Sequence, residues 1–230
     1  FSAGVQASEY VEAQGQDKTV TQADVEKGGK RVVGGWRNWS GTAQQAKLNN
    51  TVTVESGEWQ LVIGGHYSGV ADKAITHSVE NTNVVINGGS ITKSVVGGTG
   101  ASDNLEVTRI NKNAVASVTI NGGFFGVAGE VGNTTELFVL GGDLMKHRGG
   151  FKNDPKDPDL SDAYAESEIG ATHVTIKDGT FNSAIVGGSA AIVYYGNANK
   201  GAKTTVGTTN VTIEGGTFNH AIVAGGLASG

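Results

Sequence analysis

The chain has 230 residues, a net charge of −5, 37 glycines, 2 prolines and no cysteine. Its valines and isoleucines far outnumber its leucines, which excludes a helical bundle, and its low proline content excludes collagen. The lack of cysteine excludes disulfides and zinc-thiolate sites, and the acidic balance makes nucleic acid an unexpected partner, because that affinity depends on clustered lysine and arginine.

The first 50 residues are less regular than the rest. Residues 1–7 end in Val5-Gln6-Ala7, which is similar to a signal-peptidase cleavage site, so we interpret them as the remnant of an export signal. Residues 8–50 contain Val33-Gly34-Gly35, a motif that recurs later in the chain. We interpret residues 8–50 as an N-terminal cap with a degenerate first coil, because irregular polar turns protect the open end of a stack of strands.

Residues 51–230 contain an internal repeat, and this repeat decides the predicted fold. Six segments contain two apolar residues separated by one residue. Counted from the second apolar residue, a glycine follows three positions later and another apolar residue follows five positions later. The second residue of the apolar pair is, in chain order, Val54, Ile86, Ile120, Val139, Ile176 and Ile213. These positions are 32, 34, 19, 37 and 37 residues apart, so an interval of 19 residues would be a bare coil and longer ones would hold an insertion or a second coil.

Each feature of the repeat has a physical reason. Alternation places the apolar pair on one face of a short strand. A glycine at a constant offset indicates a bend with positive φ, which residues with a Cβ avoid; these predicted corner glycines are Gly57, Gly89, Gly123, Gly142, Gly179 and Gly216.

The apolar residue after each bend is predicted to return to the same interior. These six residues are Trp59, Ile91, Phe125, Leu144, Phe181 and Phe218. A second corner is marked by Gly-Gly pairs at 64–65, 97–98, 149–150, 187–188 and 225–226.

The repeat predicts an all-β fold, a right-handed parallel β-helix of about six or more glycine-cornered coils, with like residues stacked over like residues. An antiparallel sandwich with glycine-rich hairpins is the alternative, because Asn87-Gly88, Asn121-Gly122 and Asp178-Gly179 are typical hairpin turns. Hairpins, however, give no reason for an apolar residue to recur five positions after each strand. Because nothing near Gly230 is similar to a cap, we expect the native polypeptide to continue beyond it.

Residues 151–169 interrupt the repeat and contain both prolines and six carboxylates, which predicts an exposed acidic loop. Asp157, Asp159 and Glu168 match offsets 1, 3 and 12 of a calcium-binding loop, but the position that requires glycine is Asp162. They are weak metal candidates, and a solvated loop is the favoured interpretation. We expect no resident metal, no cofactor and no catalytic residue.

The units Val211 to Phe218 with Ile222 to Gly226, and Val174 to Phe181 with Ile185 to Gly188, resemble glycine-rich passenger domains of bacterial autotransporter and adhesin-like surface proteins. The similarity covers roughly residues 50 to 230 and is one of repeat style. It implies export, display at the outer membrane, and a C-terminal outer-membrane barrel in the full-length chain. The family has no shared catalytic residues to carry over.

The resulting hypothesis is a secreted or surface-displayed structural or adhesive stalk without a catalytic site. Its partners would be host-cell or matrix surfaces, glycans or other cells, with self-association as a further possibility. A carbohydrate-active β-helix enzyme is the alternative, although only Arg109-Ile110-Asn111 approaches a polygalacturonase motif. A self-assembling fibre subunit is a third, weaker hypothesis.

Overall fold

The protein was studied as a computed structural model, which describes residues 9–37, 48–68, 75–101, 109–127, 138–148, 165–194 and 202–229. Within these ranges the chain is all-β, apart from the five-residue helix α1 (Gln22–Glu26). The strands form three sheets, and every strand pair is parallel in them. The predicted alternative of an antiparallel sandwich is therefore wrong.

Sheet 1 is the most regular of the three. Its described strands are β2 (Lys18–Val20), β4 (Asn49–Val54), β7 (Ile75–Ile86), β10 (Arg109–Ile120), β14 (Ala165–Ile176) and β18 (Ala202–Ile213). They lie side by side in chain order, and the last four of them are each 12 residues long.

Sheets 2 and 3 are built from shorter strands. Sheet 2 contains β1 (Tyr10–Glu12), β3 (Arg31–Val33), β5 (Glu58–Ile63), β8 (Ser90–Val96), β11 (Phe124–Phe125), β12 (Phe138–Leu140), β15 (Thr180–Phe181), β16 (Ala184–Val186), β19 (Thr217–Phe218) and β20 (Ile222–Val223). Sheet 3 contains β6 (Tyr67–Ser68), β9 (Gly100–Ala101), β13 (Leu144–Arg148), β17 (Ala190–Tyr194) and β21 (Leu227–Ser229).

Successive segments of the chain visit the three sheets in the same order. β4, β5 and β6 belong to sheets 1, 2 and 3, and β7, β8 and β9 repeat that sequence one strand further along each sheet. The segments that begin with β10, β14 and β18 follow the same order. The N-terminal region contributes β2, which pairs with β4, and β3, which pairs with β5.

Inward side chains of the three sheets form two apolar clusters. The larger cluster lies between sheets 1 and 2 and contains Trp59, Ile91, Phe125, Phe181 and the valines and isoleucines of sheet 1. The smaller cluster includes residues beside sheet 3, such as Leu144. The prediction of a common interior is thus confirmed for the buried aromatic residues.

The apolar residues of the last segment are less covered. Ile213 in β18 is 41% exposed, whereas Ile176 in the preceding strand is fully buried. The difference arises because β18 has a neighbouring strand on one side only among the described residues. Phe218 is half-buried for the same reason.

The fourth predicted copy of the repeat is wrong. Val139 pairs with Val95 and Ile185 in sheet 2, and not with Ile120 or Ile176 in sheet 1. Leu144 pairs with Ala190 in sheet 3 and packs in the smaller cluster. The segment therefore belongs to the same unit as β10, and the 19-residue interval is not a separate coil. The error arose because Gly141-Gly142 follows an apolar strand just as the first-corner pairs Gly88-Gly89 and Gly122-Gly123 do.

Five of the six predicted corner glycines have the expected backbone. Their φ angles lie between +87° and +131°, and they are Gly57, Gly89, Gly123, Gly179 and Gly216. Gly142 is not among the residues with positive φ, because it belongs to the second corner: its N–H donates to the carbonyl oxygen of Gly188, 2.9 Å away. Of the predicted Gly-Gly pairs, 149–150 lies outside the described residues, and Gly141-Gly142 takes that place in the series.

Candidate functional site

The outer face of sheet 1 carries columns of polar side chains. Because strand residues alternate between core and solvent, in-register pairing places outward residues of successive strands side by side. One column consists of Thr51, Asn83, Ser117, His173 and Asn210. The next column has threonine at five of six positions: Thr19, Thr53, Val85, Thr119, Thr175 and Thr212. The face thus presents mainly amide and hydroxyl groups.

An open groove of about 460 Å³ lies on this sheet where β4 begins. Its volume is within the range of about 300–1,000 Å³ that small-molecule sites have. The residues that line it are Asp17, Asn49, Asn50, Thr51, Asn81, Thr82, Asn83, Val115 and Ser117. We call it the amide groove. Of these lining residues, Val115 alone is apolar and Asp17 alone is charged.

The position of Asp17 at the edge of the amide groove follows from the difference in length between β2 and β4. β2 begins opposite Val52, so the first three residues of β4 extend beyond its pairing with β2. The carboxylate Oδ1 of Asp17 accepts a hydrogen bond from the backbone N–H of Thr51 over 2.8 Å. A side chain thereby replaces the missing strand partner, and a carboxylate is placed beside the exposed amides.

The asparagines of the amide groove differ in their hydrogen bonding from the asparagines that are stacked elsewhere in the protein. At the first corner, Asn121 donates to Asn87 over 2.7 Å, and Asn87 donates to Glu55 over 2.8 Å. Within sheet 2, Asn219, directly after β19, donates to Asn182, directly after β15, over 2.8 Å. These amides form ladders that support the stacking of the segments.

In contrast, the side chains of Asn49, Asn81 and Asn83 have no hydrogen-bond partner within the described ranges. Asn49 and Asn81 are exposed and pair in register on adjacent strands, while Asn83 lies two residues further along β7. Three amides without a protein partner among the described residues therefore face the same groove.

A second set of polar residues lies inside the protein, directly after the Gly-Gly pairs. It comprises His66, Thr99, Asp143 and Ser189, all of which are at least 99% buried. Asp143 accepts hydrogen bonds from the backbone N–H of Thr99 and from the hydroxyl of Ser167, and its own N–H donates to Ser189. The carboxylate holds three segments together and is enclosed, so its position is structural. A polar residue follows the Gly-Gly pairs at 64–65, 97–98, 141–142 and 187–188, and this recurrence was a signal in the sequence that could have revealed the column.

The weak metal candidates are not brought together among the described residues. Asp157 and Asp159 lie outside these ranges, and Glu168 is exposed in β14 opposite Lys112 and Thr205. In the part of the chain that the structure describes, no group of three or more His, Cys, Asp or Glu side chains is arranged to hold a metal ion.

Comparison of the chain with protein-family models, with curated proteins and with solved structures gave no match. No helix among the described residues has both the length and the apolar character that crossing a membrane requires.

Proposed function

We propose that the chain is a right-handed parallel β-helix of six or more coils that serves as a structural or adhesive stalk at a bacterial surface. The observation that carries this proposal is the in-register, parallel order in which successive segments visit the three sheets. A chain that passes repeatedly through three parallel sheets in one order is most simply wound as a coil. The right-handed sense is supported by the strong general preference of parallel crossover connections.

The distribution of polar groups supports a scaffold rather than an enzyme. Both oxygens of the buried carboxylate of Asp143 accept structural hydrogen bonds. The two outward columns described above consist mainly of threonine, asparagine and serine, whose neutral side chains suit hydrogen bonding to a partner more than proton transfer. This part of sheet 1 therefore offers a polar surface.

Surface display is supported by the resemblance of the repeat to autotransporter and adhesin-like passenger domains. Under this proposal the chain is exported, and the full-length protein is anchored through a C-terminal outer-membrane barrel. Host cells, matrix components or other bacteria would be bound by the side of the stack.

The proposal can be tested with beads that carry the purified chain. Such beads should adhere to epithelial cells or to matrix-coated surfaces more strongly than beads coated with albumin. The same protein should release no reducing ends or unsaturated sugars from acidic polysaccharides. Failure to adhere to any surface would contradict the adhesive function, and release of such products would establish the enzyme alternative.

A self-assembling subunit is a second candidate, which the exposure of the last strands favours. Ile213 and Ile222 are 41% and 43% exposed, and another copy stacked on β18 and β20 would cover them. Sedimentation velocity over a hundredfold range of concentration distinguishes the two functions. A stalk gives a constant sedimentation coefficient, whereas a fibre subunit gives one that rises with concentration.

A further inference from the structure

We infer that the amide groove binds a neutral, hydroxyl-rich glycan. This inference rests on the proposed adhesive function and names both the site and the chemical class of its partner. It follows from the charge of the groove, from the hydrogen-bonding capacity that its side chains leave unused, and from their arrangement.

The charge of the amide groove excludes several classes of ligand. Among the described residues that line it, Asp17 alone is charged, and its carboxylate would repel a phosphate, a sulfate or a carboxylate. A single carboxylate disfavours a calcium ion, because calcium affinity rises with the number of charged ligands at the site. Val115 is the one apolar side chain among the described lining residues, so an apolar ligand would desolvate the amides without compensation. A neutral and polar ligand remains.

The unused hydrogen-bonding groups match hydroxyls. Each of Asn49, Asn81 and Asn83 offers a carbonyl acceptor and an NH₂ group with two donors. A sugar hydroxyl both donates and accepts, so it can satisfy an amide in either direction. Asp17 adds an acceptor, because its Oδ2 receives no hydrogen bond within the described ranges while Oδ1 is bound to Thr51.

The arrangement of these groups suits a ligand with several hydroxyls. Asn49 and Asn81 lie on adjacent strands, about 4.8 Å apart in the direction of stacking. Asn83 lies two residues from Asn81 on the same face of β7, and Ser117 lies beside it on β10. The sites therefore extend across three strands, and a short oligosaccharide can contact several of them at once.

The test is an array of neutral oligosaccharides with sialylated and sulfated glycans for comparison. The double variant Asn81→Ala with Asn83→Ala removes two amides from the groove. Asn210→Ala is the matched control, because Asn210 belongs to the same column as Asn83 and is exposed three strands away. Neither substitution removes a hydrogen bond that the described chain makes to these side chains, so circular dichroism and thermal unfolding should be unchanged.

The wild-type chain and Asn210→Ala should bind neutral glycans, and the double variant should bind the same glycans about tenfold more weakly or worse. The inference is overturned if no neutral glycan binds, if the double variant binds like the wild type, or if sialylated glycans bind at least as tightly. Bead adhesion separates this result from the proposed function. If beads adhere without glycan binding, the adhesive stalk stands and the groove is not its site. If nothing adheres, the adhesive function itself fails.

Discussion

At Gly97, a Cβ atom would lie less than 3.0 Å from the carbonyl oxygen of Gly141, a separation that real Cβ atoms essentially never show. The same conflict occurs at Gly34, Gly64, Gly141 and Gly187. At each of them an added Cβ would meet the carbonyl oxygen of the equivalent residue in the next segment of the stack. These glycines are therefore required by the close approach of stacked backbones. At the first corner, the glycines are required by positive φ instead. The sequence predicted the first-corner glycines with this reason. At the second corner it placed the last pair at Gly225-Gly226, whereas Ala224 occupies the position equivalent to Gly187.

We expect Gly97→Ala to destabilise the protein by about 1–3 kcal/mol, because the added methyl group forces the backbones of two segments apart. Urea unfolding measures the change. Gly122→Ala is the matched control: its Cβ would meet nothing nearer than 3.5 Å, and its φ is not positive. The control should be neutral or slightly stabilising, because alanine restricts the unfolded chain. Equal effects of the two substitutions would contradict crowding as the cause.

Glu9 gives a prediction for pH. A hydrogen bond from Lys30 over 2.9 Å, together with its charge, lowers the pKa of Glu9 below its ordinary value. The ion pair thus contributes its stability at pH values above the ordinary range of a glutamate, and the contribution is lost as the pH falls through the lowered pKa. Lys30→Ala should raise the pKa of Glu9 in an NMR titration, while Lys27→Ala, which removes another exposed lysine, should not.

At the scale of elements, the strands of sheet 1 were largely predictable from the sequence. The assignment of each glycine motif to the first or the second corner was not. Alternation identified Val54, Ile86, Ile120 and Ile176 as inward residues, and all four are fully buried. The segment around Val139 has the same local pattern but pairs in sheet 2. A short apolar pattern followed by Gly-Gly does not contain the long-range register that separates the two corners.

Three phenylalanines form a stack in sheet 2 that tests the packing of neighbouring elements. Phe181 is fully buried, and its ring centroid lies 4.6 Å from that of Phe125 and 5.0 Å from that of Phe218. Phe181→Ala should reduce the free energy of unfolding by about 3–5 kcal/mol, because it leaves a cavity and removes the stacking contacts with both neighbouring rings. Phe218→Ala should cost clearly less, since that ring is half-buried. Similar losses in urea unfolding would contradict the stack as described.

At the scale of the whole molecule, contacts connect mainly neighbouring segments, so one unit should be removable. Val174 pairs in register with Val211. Deletion of residues 174–210 therefore joins His173 to Val211, which occupies the same position in its strand as Val174. The shortened chain should fold cooperatively, with a lower urea m-value because less surface is buried.

Deletion of residues 174–192 is the control for this experiment. It removes 19 residues, the length that the sequence alone indicated for a bare coil. It joins His173 of sheet 1 to Val193 of sheet 3, so the order of the sheets is broken. The segments after the junction should therefore be lost from the folded stack, while the segments before it stay folded, so the urea m-value should be lower than that of the 37-residue deletion. An m-value at least as high as that of the longer deletion, or failure of the longer deletion to fold, would contradict the proposed winding.

The amide groove was not predictable from the sequence, although its residues belong to the repeat. Asn83 and Asn210 stand at equivalent places before a Val-x-Ile strand, yet Asn83 alone lies in the groove. The difference depends on the short strand β2, on the position of Asp17 and on the register of β4 against β7. Those are properties of long-range pairing, which local patterns do not specify.

The close backbone contacts of the stacked second-corner glycines restrict where insertions and deletions can be tolerated in the chain. Codons gained or lost between strands leave the backbone contacts of Gly64, Gly97 and Gly141 untouched, as the unequal intervals between Ile86, Ile120 and Ile176 illustrate. A single codon inserted within the apolar run before a Gly-Gly pair would instead invert which side chains face inward. Natural selection should therefore accept variation in length between the strands and reject it beside these glycines.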